Sequence, residues 1–336
     1  MTTRSAPPGS LQSRTPLKAV TAQTGLQEVV DVAFGIDENF APHMAAAIAS
    51  IVDNAKGAQF RFIILHTGFS EDTRSTVERV APTARFTWIE IPDSDLPQFK
   101  IRALYTRAIL FRLGLEQRAP ADCRRVIYLD ADLIVLGDLR DLWRQDLGSN
   151  PIGAVEDTFA HLPSYPLEFA KRWGLPPEDG EYVNSGILLI NLEQVRRERS
   201  FSKVLAFIAE HGGDLLFADQ DALNAVFWGR CQKLGIEWNI QRDMVVPSVS
   251  ALLPDHKRLN GRRPAIVHFC DVHKPWLPTG YHPWSWLYWY YLAQTPFTRE
   301  VASTYGITLA ARLRLWLRWL RRHPYKRFGV MPAPLR

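Results

Sequence analysis

The stretch Val126-Ile127-Tyr128-Leu129-Asp130-Ala131-Asp132 sets two carboxylates two residues apart directly after an apolar run. Alternation along an extended chain sends Asp130 and Asp132 to one side. At a strand end they converge as hard oxygen ligands for Mg2+ or Mn2+, with positions left for phosphate oxygens. Taken alone, the pair also fits two acids capping the next turn. A third reading is a metal-dependent phosphatase in which the first Asp is a nucleophile and the second an acid/base, though that pattern belongs nearer a chain start. Farther along, His268 ends the apolar run Ala265-Ile266-Val267 and precedes Cys270, Asp271 and Lys274. A histidine there completes an Asp130, Asp132, His268 ligand set, whose borderline nitrogen favours Mn2+ slightly over Mg2+. The ammonium of Lys274 then meets a diphosphate as a point charge.

Elements must bring these groups together, and the apolar pattern supplies them. Strands are expected over residues 29–36, 60–66, 85–91 and 125–129, with helices over 41–55 (rich in Ala), 70–80 and 103–117 between them. A second set follows, with strands over 152–155 and 186–191, helices over 201–210 and 221–227, and a late strand over 265–269. This alternation predicts an α/β domain with a Rossmann-like, mostly parallel central sheet, and ligands at the C-terminal ends of its strands. Residues 243–263, rich in Pro and polar side chains, are expected as a long loop able to close over a site.

With 336 residues, 46% apolar and 22% charged, the chain can bury a full core, which excludes a disordered or staple-dependent mini-protein. Forty Lys and Arg against 35 Asp and Glu leave +5, too mild an excess to indicate a nucleic-acid partner. That excess is local. No acidic residue follows Glu300, whereas Arg312, Arg314, Arg318, Arg321, Arg322, Lys326, Arg327 and Arg336 do. Residues 277–336 therefore read as an aromatic and basic helical appendage. On a wheel Leu309, Leu313, Trp316, Leu317 and Leu320 share a face, with Leu315 and Trp319 breaking the separation. Either a docked terminal helix or a helix lying on an anionic membrane surface has this pattern, and the basic face favours the membrane. Cys123, Cys231 and Cys270 are odd in number and lack CxxC spacing, which points away from a disulfide framework and towards a reducing compartment. Residues 1–27 read as a flexible leader without a signal-peptide core, and no apolar run reaches the length of a membrane span. The expected location is cytoplasmic, at the inner face of the membrane. The expected organisation is a leader (1–27), one catalytic domain (28–276) and the tail (277–336).

Taken together, several blocks carry a resemblance: Phe34-Gly35-Ile36-Asp37-Glu38-Asn39-Phe40, Phe111-Arg112-Leu113, Leu129-Asp130-Ala131-Asp132, Asn184-Ser185-Gly186-Ile187-Leu188-Leu189-Ile190-Asn191-Leu192, Asp219-Gln220-Asp221-Ala222-Leu223-Asn224, and His268 through Trp276. In this order the chain resembles the family-8 glycosyltransferases, retaining nucleotide-sugar enzymes that include bacterial lipopolysaccharide glucosyl- and galactosyltransferases and glycogenin.

The resemblance implies a GT-A fold, a Mn2+ or Mg2+ ion on Asp130, Asp132 and His268, and UDP-glucose or UDP-galactose as donor. It implies that Gly35, Asp37 and Asn39 hold uracil and ribose, and that Phe40, where many relatives have Tyr, stacks on the base. Arg112 would reach the donor sugar. Ala131, Asp271 and Lys274 would border the diphosphate, while Asn184 and Ser185 (often Ala in relatives) would contact sugar hydroxyls. Asp219 and Gln220 would flank the anomeric carbon, and Asp157 falls in the acceptor region. Retention by double displacement would need a carboxylate nucleophile, yet Gln220 is the nearest counterpart and an amide is a poor one. Same-face attack is therefore preferred, with Asp219 or Asp221 as covalent nucleophile the alternative. The implied function is transfer of a hexose to a glycan or glycolipid acceptor. A nucleotide-sugar-binding protein without activity and a phosphatase are the competing readings.

Overall fold

The structure is a computed structural model and describes residues 28–97, 107–159, 161–270, 272–278, 280 and 282–322. The expected leader, Asp271 and the last residues of the tail lie outside the described residues.

Strand β1 (Val29–Gly35) sends Val30, Val32 and Phe34 into one core and Ala33 into another, the signature of a strand covered on both faces. It pairs in parallel with β2 (Gln59–His66), which pairs in parallel with β3 (Arg85–Glu90). Helix α1 (Ala41–Asn54) fills the first crossover, and its buried Ala45, Ala46, Ala47 and Ala49 leave room for close neighbours on every side. The second crossover is α2 (Glu71–Glu78), started by Ser70, whose hydroxyl accepts from the Thr73 N–H.

Where a helix is expected over 103–117, the described part is a 3-10 segment (Arg107–Gly114) running into α3 (Leu115–Arg118). This segment crosses β1 so closely that a Cβ on Gly35 would stand 3.1 Å from Phe111 Cβ. Strand β4 (Arg125–Leu129) follows, then β5 (Leu133–Val135) and α4 (Leu139–Trp143). Next come β6 (Ile152–Glu156), α5 (Tyr165–Arg172), β7 (Val183–Asn191), α6 (Leu192–Glu198), α7 (Ser200–His211), α8 (Ala218–Phe227) and β8 (Cys231–Lys233). The seven-stranded sheet has the order β3-β2-β1-β4-β7-β6-β8, with β7 antiparallel to both neighbours and the other pairs parallel.

Three further features differ from the sequence-based expectation. Strand β9 (Ile266–His268) does not join the central sheet; it pairs antiparallel with β5, His268 opposite Leu133. The turn at Asp130-Ala131-Asp132 redirects the chain after β4, so the partner strand must follow β5 out of the sheet. Residues 243–263 are not a plain loop. They hold α9 (Arg242–Val245), α10 (Pro247–Ser250) and a 3-10 turn (Asp255–Lys257), whose buried Lys257 ammonium bonds the Asp157 carbonyl at 2.7 Å and pairs with Glu156 at 2.7 Å.

The third difference is at the C-terminus, where the aromatic helix α11 (Ser285–Leu292) is not peripheral. Trp286, Leu287, Tyr288, Trp289, Tyr291 and Leu292 are buried in the same core as β1 and α1, because so much apolar area is too costly to leave wet. After α12 (Thr298–Thr304), α13 (Leu309–Arg322) turns Ala311 and Leu315 towards that core and leaves Leu309, Leu313 and Leu317 exposed. Leu315, which breaks the wheel, is thus the inward contact. No helix among the described residues is long and apolar enough to cross a membrane.

Candidate active site

Asp130 and Asp132 stand on the turn between β4 and β5, at the C-terminal edge of the central sheet. The β5–β9 register carries His268 to them: its Nε2 is 3.3 Å from Asp132 Oδ1 and 3.8 Å from Asp130 Oδ2. One ligand atom from each of the three residues fits within 4.8 Å of the others. Space for this cluster comes from Gly186 on β7, where a Cβ would lie 2.7 Å from Asp130 Oδ2 and fall onto the His268 ring. The backbone N–H of Asp130 bonds the Gly186 carbonyl at 2.8 Å, which holds the turn against β7.

The imidazole is aimed. His268 Nδ1 lies 3.1 Å from Asn239 Oδ1. The Asn239 amide is itself oriented, because its Nδ2 donates to Asn184 Oδ1 at 2.8 Å, and Asn184 Nδ2 donates in turn to Asp157 Oδ2 at 2.9 Å. With its oxygen turned to the ring, Asn239 accepts a hydrogen bond from Nδ1–H, which leaves the Nε2 lone pair facing the carboxylates. Two carboxylates and one such nitrogen suit Mn2+ or Mg2+, so the residues present fit the implied ion. Burial by itself pushes the Asp132 carboxyl up, but Lys274 and His268 outweigh it and hold Asp132 well below the ordinary carboxylate range. Lys274 pairs with Asp132 and donates to the Phe269 carbonyl at 2.8 Å.

Arg112, 3% exposed, lies beneath the cluster. Its guanidinium donates to Asp130 Oδ1 at 2.9 Å and to the carbonyls of Ile109 and Ser185, and stacks 4.3 Å over the Tyr128 ring. It forms an ion pair with Asp219 at 3.2 Å, although that carboxylate oxygen has no aligned hydrogen bond. Burial would lower its pKa, but Asp130 and Asp219 raise it, so it stays charged. Burial also pushes Asp219 up to about 6 against the opposing pull of Arg112. In this arrangement Arg112 orients the two carboxylates from below.

Gln220 is held at both ends of its amide: Oε1 accepts from the Ser185 N–H at 3.0 Å and Nε2 donates to Asp157 Oδ2 at 3.2 Å. Asp157, Asn184, Ser185 and Gln220 therefore form one hydrogen-bonded group. Asp221 does not join them. Its carboxylate accepts from the hydroxyls of Tyr165 and Tyr182 and from the N–H groups of Leu216 (2.7 Å) and Phe217 (2.9 Å), and it is 1% exposed. That corrects its candidacy as a covalent nucleophile: it clamps the turn into α8.

Asp37 accepts from the Asn39 N–H at 3.1 Å and opens a cleft of about 450 Å3 with Thr67, Glu90, Arg107 and Phe111, at the ends of β1 to β3 beside Gly35. Phe40 is not among the residues lining this cleft. It sits edge-on to His43 (5.3 Å) and Trp276 (6.2 Å), next to the Lys274 loop. The Ala131 methyl is buried in the core. Residues that sequence reasoning missed are Asn239, Tyr128 and Lys257. Asn239 follows Ile236-Glu237-Trp238 with no motif to mark it, and the pairing of Ile240 with Ile266, Val267 and His268 brings it beside the imidazole.

The family model described as Glycosyl transferase family 8 matches residues 31–280. General stress protein A of Bacillus subtilis is 29% identical over 280 residues, which cover 80% of this chain and 94% of that one. A lipopolysaccharide 1,2-glucosyltransferase of Escherichia coli K12 is 25% identical over 266 residues, 79% of this chain and 76% of its own. Among solved structures, the galactosyltransferase LgtC in complex with donor and acceptor sugar analogues superposes with a TM-score of 0.68 at 25% identity, covering 80% of this chain and 96% of that chain.

Proposed function

The chain belongs to glycosyl transferase family 8, and from that premise we propose that it is a metal-dependent, retaining hexosyltransferase. Its donor is UDP-glucose or UDP-galactose, and its acceptor is a glycan of lipopolysaccharide or another lipid-linked saccharide. The observation that carries this reading is the convergence of Asp130, Asp132 and His268 with Lys274 at the C-terminal edge of the sheet. The lipopolysaccharide glucosyltransferase and the galactosyltransferase named above support both the donor class and the acceptor class. Family membership also replaces the phosphatase reading of the two aspartates, and the presence of every ligand and of Lys274 weighs against an inactive binding protein.

Mn2+ or Mg2+ held by Asp130, Asp132 and His268 would neutralise the diphosphate charge that grows as the sugar leaves. Lys274 supplies a second positive charge to the same oxygens. Asp37, which holds the Asn39 N–H, borders the cleft for the nucleoside, and Asn184 and Ser185 face the sugar. Gln220, tied to Ser185 and Asp157, is a poor nucleophile, as amides are, so same-face attack accounts for retention, with the leaving phosphate oxygen taking the acceptor proton. Asp219, ion-paired to Arg112, lies beside the anomeric position as an electrostatic partner for the developing positive charge. The stripe of Leu309, Leu313 and Leu317, exposed on a helix with basic residues, supports placing the tail on an anionic membrane where such an acceptor lies.

The test is UDP release from a panel of UDP-sugars with Mn2+ and with EDTA, in wild type and Asp130→Ala. Release from one sugar, abolished by EDTA and reduced at least a hundredfold in Asp130→Ala, is expected. Wild-type turnover in that variant overturns the assignment.

A further inference from the structure

Within the loop that carries Lys274, the Leu277 N–H donates to the Lys274 carbonyl at 3.2 Å, and Pro275 has no N–H. The C-terminal helices add contacts to it. The indole N–H of Trp289 on α11 donates to the buried Pro275 carbonyl at 3.0 Å. One residue earlier on α11, the Tyr288 hydroxyl meets His43 Nδ1 at 2.6 Å, and the His43 ring stacks on Trp276 with centroids 3.6 Å apart and planes within 14°. Over the indole of Trp289 lies the guanidinium of Arg312 from α13, 5.3 Å from the ring centre. A continuous path of contacts thus runs from α13 through Trp289 and Pro275 to the ammonium beside Asp132.

We propose that Trp289 is a positioning residue for Lys274: its indole N–H fixes the Pro275 carbonyl and so holds the diphosphate-binding ammonium in place before the nucleotide arrives. The C-terminal helices are then a support of the donor site as well as a tail. This inference rests on Lys274 contacting the diphosphate, as argued above. Removing the N–H strands a buried carbonyl, and the loop gains freedom to move off its support. Ordering that loop anew on each binding event weakens nucleotide affinity.

The experiment compares UDP binding, by calorimetry with Mn2+, in the full-length wild type and in Trp289→Phe, Tyr291→Phe, Lys274→Ala and the Trp289→Phe/Lys274→Ala double variant. Tyr291→Phe is the structural control. It removes a buried bond between the same helix and Asn54 on α1, of 2.8 Å, that does not reach the loop. Trp289→Phe is expected to weaken UDP about fivefold to tenfold, with Tyr291→Phe near wild type and no further loss when Trp289→Phe is added to Lys274→Ala. Equal weakening in both Phe variants, or the full loss persisting without Lys274, overturns the proposal. Failure of the wild type to bind UDP overturns the donor assignment itself, which separates the two. Amide exchange of the unmodified chain gives a reading that needs no variant. The Leu277 N–H, bonded to the Lys274 carbonyl, should be protected without nucleotide, and exchange there at unprotected rates until UDP is added contradicts the inference.

Discussion

His268 can present an Nε2 lone pair to Asp130 and Asp132 because Asn239 Oδ1 accepts a hydrogen bond from Nδ1–H, and Asn239 can do so because Asn184 and Asp157 fix which way its amide points. Asn239→Ala leaves the ring without that acceptor. We expect Mn2+ affinity to fall about tenfold to a hundredfold, read by electron paramagnetic resonance of free Mn2+, with the fold retained by circular dichroism. Asp219 gives a second prediction. Its pKa is raised to about 6 by burial, above the ordinary value near 4, so the folded metal-free protein binds its proton more tightly than the unfolded chain does. The stability this proton brings is complete below about pH 4 and is lost as pH rises through about 6. Urea unfolding of wild type relative to Asp219→Asn should show a loss of up to about 3 kcal/mol between pH 4 and 7. Parallel curves would contradict it. At this scale Asp130, Asp132, His268 and Lys274 could be read by type and place at strand ends, whereas Asn184 and Gln220 entered only through the resemblance to family 8. Asn239 could be read by neither route, because its role depends on an orientation inherited from Asn184 and Asp157. Asp221 misled because a carboxylate in a motif looks the same whether it faces substrate or four donors.

Strands place these groups, and β7 is the element on which the site depends most. It runs antiparallel between β4 and β6, sends Ile187 and Leu189 to one core and Leu188 and Ile190 to the other, and leaves Gly186 against the side chains of Asp130 and His268. Gly186→Ala puts a methyl group into the space that the His268 ring and the Asp130 carboxylate need. Overpacking of this kind costs about 1–3 kcal/mol, and here it separates the ligands, so loss of Mn2+ binding by calorimetry is expected even where the variant stays folded. The parallel βα units were readable as apolar runs of strand length alternating with helices. Short elements such as β5 and β8 were not, since three residues carry no period, and the partner of β9 is set by the turn at Asp132 rather than by any pattern within the strand.

For the whole molecule, the C-terminal segment divides into a half that belongs to the core and a half that faces outward. Phe297, Val301 and Ile307 are buried, so truncating before them would damage packing, and the membrane assignment is better tested in the full chain. Replacing Leu309, Leu313 and Leu317 together with Ser should reduce co-sedimentation with anionic vesicles at least tenfold, by the loss of inserted apolar area, while UDP release in solution stays unchanged. Vesicle binding equal to wild type would remove the membrane role of α13. The sequence by itself determined the α/β class, the order of the family-8 blocks and the carboxylate and imidazole chemistry of Asp130, Asp132 and His268, because these depend on residue type, period and local spacing. Only the tertiary structure decided that β9 leaves the central sheet to deliver His268, that Asn239 orients it, that Asp221 is a clamp, and that Trp289 reaches the Lys274 loop. Each of these is a contact between residues far apart in the chain, and the geometry that brings them together is set by packing of the whole core, which no local pattern encodes.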